Sequence, residues 1–376
     1  MSYMNFSQHV LNVFANHQMT HEQMTQLMTD VALGREIYDP ASGKTISKAE
    51  ANDKIYKFSC EIFGVDKNSK GKELRRALED HGKEFFRIIE DTVDVAITTG
   101  YGNEPWFEAL VESKNLQEDD RQDFLIQKDT LLALSKVGNS HHDLILQRIS
   151  KGQRVSISTE MFGVKIGEDI NKYLLGQTDW SLMIETIAKT FVKKIQEMVY
   201  GQLTNVSSAL PAAVKGSGAL DPSTNKDTFD GIIEKVSAAN DGAEVIIMGT
   251  KPALKKITVL ADVDWGSKDQ RDSMMTTGTL GIYEGTRLVV IPQRYKDKTL
   301  ADASKMMSDK KLYFFAVGSG DKPIKFIDQG DTRIAEVPPE RNENNGRQDD
   351  IMAYEVQRAM GVGVALGGIL GEWTLP

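Results

Sequence analysis

The glycine-rich segment near the C-terminus has residues at the spacing of a dinucleotide-binding loop. Gly361, Gly363 and Gly367 follow the pattern G-x-G-x-x-x-G. In such a loop, backbone N–H groups at a helix N-terminus approach a pyrophosphate, which requires a strand before the loop, a helix after it and an acidic residue about 20 positions later. Nine residues follow Gly367, so we expect no βαβ unit. The pattern favours a strand that allows close backbone approach.

The acidic segment Asp262–Asp269 begins like a calcium-binding loop, in which carboxylates alternate along the chain. Three defining positions differ: Gly266 stands where an oxygen ligand belongs, Ser267 where the glycine belongs, and Ser273 where the bidentate glutamate belongs. The segment therefore favours a solvated turn and helix cap.

The one histidine cluster is His141-His142-Asp143. Neighbouring residues of a strand point to opposite faces, so these two histidines are not placed to share a metal. The single cysteine, Cys60, excludes internal disulfides, and its apolar surroundings predict a small buried residue rather than a reactive thiol. No nucleophile elbow, phosphate-binding loop or His-Glu-x-x-His motif occurs. We predict no catalytic residue, no cofactor and no metal.

The composition is that of a soluble chain of 376 residues with a formal net charge of −9. The N-terminus has no basic stretch followed by an apolar core, and no window approaches the ~18 apolar residues of a membrane span. We expect neither a signal peptide nor a membrane partner. The acidic balance disfavours tight binding to phosphate backbones.

Hydrophobic periodicity predicts helices up to about residue 115. Ser47 and Glu50 form a capping box for a helix that runs to Gly64. A further helix covers Lys72 to about Ile97, and Pro105 begins a short helix over Trp106–Val111.

Strands follow from Asp123, with turn signals at Gly138-Asn139 and Lys151-Gly152. They cover Phe124–Gln127, Thr130–Val137, Leu144–Ile149 and Arg154–Phe162. A long hairpin with so few apolar residues indicates an arm rather than a domain.

One long helix comes next, capped by Thr178 or Asp179 and stopped by Gly201. Thr204–Asn225 has the composition of a loop. The following block contains both helices and strands. Helices are predicted at Phe229–Ala239 and Lys251–Leu260. Strands are predicted at Glu244–Met248, Leu312–Val317, Ile324–Ile327 and Thr332–Val337. An acidic loop, Pro338–Asp350, precedes an apolar, glycine-rich tail from Ile351 to Trp373.

A hairpin with clear turn and strand-ending residues is predicted inside this block, at Leu280–Ile291. Glu284-Gly285 forms its turn, because Gly285 can adopt positive φ, and Pro292 ends its second strand.

Four segments carry a resemblance to the major capsid proteins of tailed bacteriophages, the Hong Kong 97-type fold. They are Trp106–Glu112 with Phe124 and Ile126, Gln153–Tyr173 with the long helix Asp179–Gln202 into which it leads, the hairpin Gly278–Pro292, and the closing strand from Asp349 to Leu375. They occur in the order that the family shows, and residues 1 to about 100 do not match the shared core.

The resemblance implies an α+β Hong Kong 97-type capsid fold with a helical N-terminal region. The implied domains are a helical N-terminal region or arm (1–104), a connecting segment (105–123), an extended β-hairpin arm or E-loop (124–162), a peripheral domain with a spine helix (163–204 and 346–376), and an axial domain (205–345).

By resemblance, copies of this chain form pentamers and hexamers that close an icosahedral shell around double-stranded DNA, without sequence-specific binding. The partners implied are other copies, a portal and scaffolding proteins, and the protein is expected in the virion after assembly in the bacterial cytoplasm. The arm lies across a neighbouring subunit and buries Leu131, Leu132, Leu144 and Ile145.

The resemblance leaves two properties of this chain undecided: covalent cross-linking and the fate of the N-terminal region. Some members cross-link through a Lys–Asn isopeptide bond; Lys136 and Asn139 lie on the arm, but no full set of Lys, Asn and Glu matches, so we predict no cross-link. The N-terminal region is either a scaffolding segment that a protease removes or a retained arm, and the presence of Met1 favours retention.

Two alternative functions remain. An encapsulin-type compartment has the same fold but lacks a long helical N-terminal region. A cytosolic α/β enzyme with a carboxylate-based site belongs to another class altogether.

Overall fold

The computed structural model describes residues 6–66, 68–102, 104–117, 120, 123–126, 152–168, 170–260, 276, 278–296, 305–317, 322–337 and 352–376. The chain divides into two compact units. Unit 1 contains Met1–Asn103, Thr159–Gln196 and Asp328–Met360, and unit 2 contains Glu104–Ser158, Glu197–Ile327 and Gly361–Pro376. The predicted α+β class is confirmed, because helices and sheets both contribute; the domain boundaries stay a prediction.

Four helices form the N-terminal part of unit 1: α1 (Gln8–Asn16), α2 (His21–Leu33), α3 (Lys48–Phe63) and α4 (Gly71–Gly102). The predicted capping box at Ser47 and Glu50 is present, and α3 ends at Gly64 in the left-handed conformation. Helix α4 continues beyond the predicted end because Ala96, Ile97 and Tyr101 are buried. Burial of this face outweighs the weak helix propensity of Gly100 and Gly102.

Two further helices precede the middle of the chain. The short helix α5 covers Pro105–Leu110, as predicted, and α6 covers Ile170–Leu174.

The spine helix α7 runs from Trp180 to Ala209, and its 30 residues give a length of about 45 Å. The prediction that Gly201 stops it is wrong, as is the predicted loop from Thr204. Tyr200, Leu203 and Val206 are buried on either side of Gly201, so packing carries the helix through an exposed glycine. Sequence propensity alone does not report that packing.

Three long strands contribute to unit 1. Strand β4 (Glu160–Glu168) pairs antiparallel with β11 (Met352–Val364), from Met352↔Glu168 to Met360↔Glu160. Strand β10 (Ile324–Val337) neighbours β11 and is continuous, although two separate strands, Ile324–Ile327 and Thr332–Val337, were predicted. The prediction failed because Asp328, which favours a turn in the sequence, is buried and hydrogen-bonded to Arg358.

The remaining strands lie in unit 2. Strand β1 (Val111–Leu116) neighbours β10, and β2 (Asp123–Ile126) pairs with β3 (Gln153–Ser156). The predicted strand Arg154–Phe162 is interrupted at residues 157–159, because Ile157 turns into a buried cluster.

A six-stranded sheet forms the core of unit 2, in the order β5-β12-β9-β6-β8-β7. Helix α8 packs on it through Phe229, whose ring lies 5.2 Å from that of Phe314 and 5.5 Å from that of Trp373. The sheet and its helices are β5 (Lys215–Ser217), α8 (Lys226–Ala239), β6 (Glu244–Gly249), α9 (Lys251–Lys255), β7 (Ile282–Tyr283), β8 (Thr286–Val290), β9 (Lys311–Val317) and β12 (Gly371–Thr374). The predicted helix Lys251–Leu260 is α-helical only to Lys255 and continues as a 3₁₀ helix, Lys256–Val259.

The predicted hairpin is confirmed as β7 and β8, joined by Glu284 and Gly285. Both turn residues have positive φ, 42° and 83°, as a type I′ hairpin turn requires. The Tyr283 hydroxyl donates to Asp230 at 2.9 Å, and the Lys226 ammonium lies 2.7 Å from the Glu284 carboxylate. These contacts hold the hairpin against α8.

Several predicted segments fall outside the described residues: the strands Thr130–Val137 and Leu144–Ile149, the acidic segment Asp262–Asp269 and the loop Pro338–Asp350. None of the helices in the described ranges combines the length and apolar composition of a membrane span.

The C-terminal strand β12 carries a buried carboxylate, Glu372. The Lys311 ammonium lies 2.6 Å from it, and the Ser207 hydroxyl at the end of α7 donates to it. Burial alone raises the pKa of Glu372, but the hydrogen bonds from Lys311 and Ser207 outweigh it and lower the pKa below 4.5, its ordinary value.

Because the folded state has the lower pKa, the Glu372 contribution is present at neutral pH and disappears as the pH falls from 4.5 through the folded-state pKa. We expect Glu372→Gln to lower the free energy of unfolding at pH 7 by about 1–3 kcal/mol. In this variant, the free energy of unfolding should also fall less steeply below pH 4.5 than it does in the wild type. Urea unfolding of the unassembled subunit measures both. Glu244→Gln, at an exposed position in β6, is the control; equal pH profiles for the two variants would contradict this account.

Candidate functional site

The predicted arm residues Leu131, Leu132, Leu144 and Ile145 lie outside the described residues. The structure describes the strands at the two ends of the predicted arm, a region that we call the arm base: β1, β2, β3, and residues 324–327 of β10. The arm base therefore shows how the predicted arm is attached to unit 2.

Strands β2 and β3 pair antiparallel, from Asp123↔Ser156 to Ile126↔Gln153. The chain leaves at Ile126 and returns at Gly152, which has a φ of +73°. A Cβ atom on Gly152 would lie 2.6 Å from the Ile126 carbonyl oxygen, so the close approach requires glycine. The two ends of the intervening segment therefore lie side by side, as the ends of a hairpin do.

An aromatic anchor fixes the arm base. Phe124 is 1% exposed and packs with Ile157 and Ile327, and Leu116 and Val155 pack against this cluster. Full burial of such a ring contributes about 1.5–3 kcal/mol. The cluster joins β1, β2, β3 and β10, so these strands form a fixed base for the predicted arm.

Two cations contact the Phe124 ring. The Lys114 ammonium lies 4.2 Å from the ring centroid and donates to the Asp123 carbonyl oxygen at 3.0 Å. The Lys325 ammonium lies 5.7 Å from the centroid, and this side chain is 0% exposed. An ammonium over an aromatic face within about 6 Å is attracted by the ring quadrupole.

Lys325 forms its ion pair with Glu112 on β1. A buried ammonium without a counter-charge would cost several kcal/mol, so the pair fixes β1 beside β10. Neither Lys325 nor Glu112 is among the candidate residues predicted from the sequence. The available signal is a lysine inside the apolar run Ile324-Lys325-Phe326-Ile327, which indicates a paired buried charge when the run is a strand.

The opposite face of β2 is open. Leu125 is 50% exposed, and its register partner Arg154 is also exposed. The arm base thus has one buried face that anchors it and one free face.

The glycine-rich tail passes close to the arm base. A Cβ atom on Gly361 would lie 2.5 Å from the Ser158 carbonyl oxygen, and one on Gly363 would lie 2.8 Å from the Ile157 side chain. Gly361 and Gly363 belong to β11, so the expectation of a glycine-rich strand with close backbone approach is confirmed.

The other candidate chemistry is limited. His141, His142 and Asp143 lie outside the described residues, and within the described ranges no three His, Cys, Asp or Glu side chains are grouped to hold a metal ion. Cys60 is partly exposed rather than fully buried as predicted, and its Sγ lies 4.0 Å from the Leu174 carbonyl oxygen.

A capsid family matches nearly the whole chain. The family described as "SPbeta prophage-derived putative capsid protein YonB" matches residues 23–374. This chain belongs to the YonB capsid protein family. Membership confirms the resemblance to phage capsid proteins that the sequence predicts, and it indicates a structural component of a virion.

Solved structures similar to this family member include phage capsids and an encapsulin. The mature capsid of bacteriophage PhiM1 is 11% identical, with a TM-score of 0.49 over 72% of this chain and 86% of that chain. Microbacterium phage Oxtober96 is 12% identical, with a TM-score of 0.44 over 73% and 91%. The SrpI encapsulin from Synechococcus elongatus is 10% identical, with a TM-score of 0.41 over 72% and 86%. With TM-scores below 0.5, these likenesses decide nothing further. No curated protein sequence matches the chain.

We expect Gly361→Ala to destabilise the subunit by about 1–3 kcal/mol, because the added methyl group meets the Ser158 carbonyl oxygen. The matched control is Gly201→Ala in α7, where no atom lies within 4 Å of the added carbon. That change removes a helix glycine, so it stabilises by about 0.5–1 kcal/mol. Urea unfolding of the unassembled subunit measures both; the same sign for the two variants would contradict the close approach.

Proposed function

We propose that this protein is the major capsid protein of a tailed phage, with the Hong Kong 97-type fold, and that copies form hexamers and pentamers of an icosahedral shell around double-stranded DNA. The observation that carries this proposal is the family match over residues 23–374. The order of the elements supports it: a paired arm base, the spine helix α7, the block with the β7–β8 hairpin, and the returning strand β11.

The proposed mechanism is interface formation rather than catalysis. The arm lies across a neighbouring subunit and buries Leu131, Leu132, Leu144 and Ile145 there. A specific interface buries about 1,200–2,000 Å², and weak contacts repeated around a closed shell add avidity. The aromatic anchor at Phe124 supports this mechanism, because a fixed base reduces the ordering that arm docking requires.

The net charge of the chain bears on how the proposed shell meets the DNA it encloses. A net charge of −9 suits a wall that encloses DNA without binding it in a sequence-specific manner. Portal and scaffolding proteins are the further partners we propose, with assembly in the cytoplasm of a bacterial host. We propose no enzymatic activity and no covalent cross-link.

Electron microscopy of the purified protein, and of particles from cells that express it, tests the proposal. We expect closed shells that contain DNA when the phage genome is present. Shells that contain only protein cargo would favour the encapsulin alternative. Small discrete oligomers under all conditions would contradict the capsid function and favour the enzyme alternative.

Substitution of the four arm residues tests the arm mechanism. We expect Leu131→Asn, Leu132→Asn, Leu144→Asn and Ile145→Asn, combined in one chain, to abolish shell formation, because each buried aliphatic side chain contributes about 1.5–3 kcal/mol at every arm contact. The subunit's melting temperature should remain within a few degrees of that of the wild type. The control is Leu11→Asn, at a position 46% exposed on α1. Normal shells from the fourfold variant would contradict the mechanism.

A further inference from the structure

We infer that the N-terminal helical region, α1 to α4, is a permanent part of the subunit that stays in the assembled particle, where it covers the beginning of the spine helix, within unit 1, and caps the edge of β10. This inference rests on the proposed capsid function only in that it presupposes an assembled particle. Four sets of contacts within unit 1 carry it.

The first contact set buries the beginning of the spine helix. Trp180 is 2% exposed, and its ring lies 4.8 Å from that of Phe85 on α4 and 4.6 Å from that of Tyr173. Ile184, Ile187 and Phe191, along the same stripe of α7, are also buried. Further along, a Cβ atom on Gly100 would lie 3.0 Å from Val192, which places α4 in direct contact with α7.

The second set consists of hydrogen bonds from α3. The Trp180 indole donates to the Ser59 hydroxyl at 3.2 Å. The Ser181 hydroxyl donates to the Asn52 side-chain oxygen at 2.9 Å, and the Asn52 amide donates to Asp179 at 2.9 Å. The polar groups at the start of α7 therefore find their partners in the N-terminal region.

The third set is a buried charge network around Arg358 of β11, which is 3% exposed. Its guanidinium pairs with Asp328 of β10 and with Asp94 of α4. The Tyr101 hydroxyl of α4 donates to Asp328 at 3.3 Å. Burial alone lowers the pKa of Arg358, but the two carboxylates outweigh it and raise the pKa above its ordinary value. Such a cation cannot lose a partner without a large cost.

The fourth set closes a strand edge. The backbone N–H of Thr332 donates to the Asp94 carboxylate, and that of Ile334 donates to the Glu90 carboxylate, both at 2.9 Å. Side chains of α4 thus take the place of a neighbouring strand. An open edge with free N–H groups is a template for pairing with other chains, and proteins commonly cover it.

Removal of α1–α4 would eliminate all four sets of contacts at once. It would remove the cover that α3 and α4 give to Trp180 and Val192 of α7, leave Arg358 with one carboxylate instead of two, and free two edge N–H groups. Exposed apolar patches above a few hundred Å² are rare on soluble proteins unless they serve an interface. A scaffolding segment made for removal would not hold the core of what remains.

The mass of the subunit in purified, DNA-filled particles tests the inference. We expect the mass of the chain with α1–α4 attached. A subunit that lacks the residues up to about Gly102 would overturn it. If no particles form, the proposed function fails, and brief proteolysis of the unassembled subunit then decides: early release of α1–α4 with a folded remainder overturns the inference, and survival of these helices supports it.

The variant Asp94→Ala tests the contacts themselves, with Asp80→Ala, at an exposed position on the same helix, as the matched control. We expect Asp94→Ala to lower the melting temperature by roughly 5 °C, since it removes hydrogen bonds to a charged group. We also expect at least tenfold faster hydrogen exchange of the Thr332 amide, while Asp80→Ala matches the wild type. Equal melting temperatures and equal exchange at Thr332 in the two variants would overturn the role of α4 as an edge cap.

Discussion

Buried cations on or beside strand β10 are the constraint on which the rest of the structure depends. In unit 2, Lys325 has no solvent access and keeps its ion pair with Glu112. In unit 1, the buried Arg358 guanidinium forms ion pairs with Asp328 and Asp94. Desolvated charges tolerate no rearrangement that separates them from their partners, because the loss of one partner leaves a charge without compensation. Each pair therefore fixes a position: β1 beside β10 in one unit, and α4 beside β10 and β11 in the other.

Local signals in the sequence predict the local structure well. The Ser47–Glu50 capping box and the Glu284–Gly285 turn form as expected, because their hydrogen bonds and dihedral angles involve residues a few positions apart. The glycine-rich strand was also predictable, since the nine residues after Gly367 leave no room for the βαβ unit of a dinucleotide-binding loop. The resemblance to capsid proteins depended on the order of segments rather than on any one motif.

Long-range packing accounts for what the sequence did not predict. Gly201 favours a helix end locally, but the buried residues around it favour continuation. Asp328 favours a turn locally, but Arg358, 30 residues later, holds it in a strand. Lys325 is distinguishable from an exposed charge only by the apolar run around it, and Arg358 is not distinguishable by spacing at all. The four predicted arm residues concern contacts with another copy, which no property of a single chain tests.

The arrangement of the arm base separates two requirements of a capsid subunit. Stability resides in the buried side of the base, where Phe124, Ile157 and Ile327 pack. In the proposed mechanism, contact with other copies falls to Leu131, Leu132, Leu144 and Ile145, which are not members of this cluster. Changes on one side can therefore accumulate with little effect on the other, because sites without shared partners contribute independently.

The side-by-side ends of the arm have an evolutionary consequence. Ile126 and Gln153 are register partners, so whatever lies between them begins and ends at one place on unit 2. Each doubling of the length of such an excursion adds only about 0.6 kcal/mol of closure entropy. Insertions and deletions between these residues are thus inexpensive for the fold. Homologous chains can therefore diverge in the length of this segment, and a foreign peptide can be grafted between Ile126 and Gln153 without a change to the β2–β3 pairing.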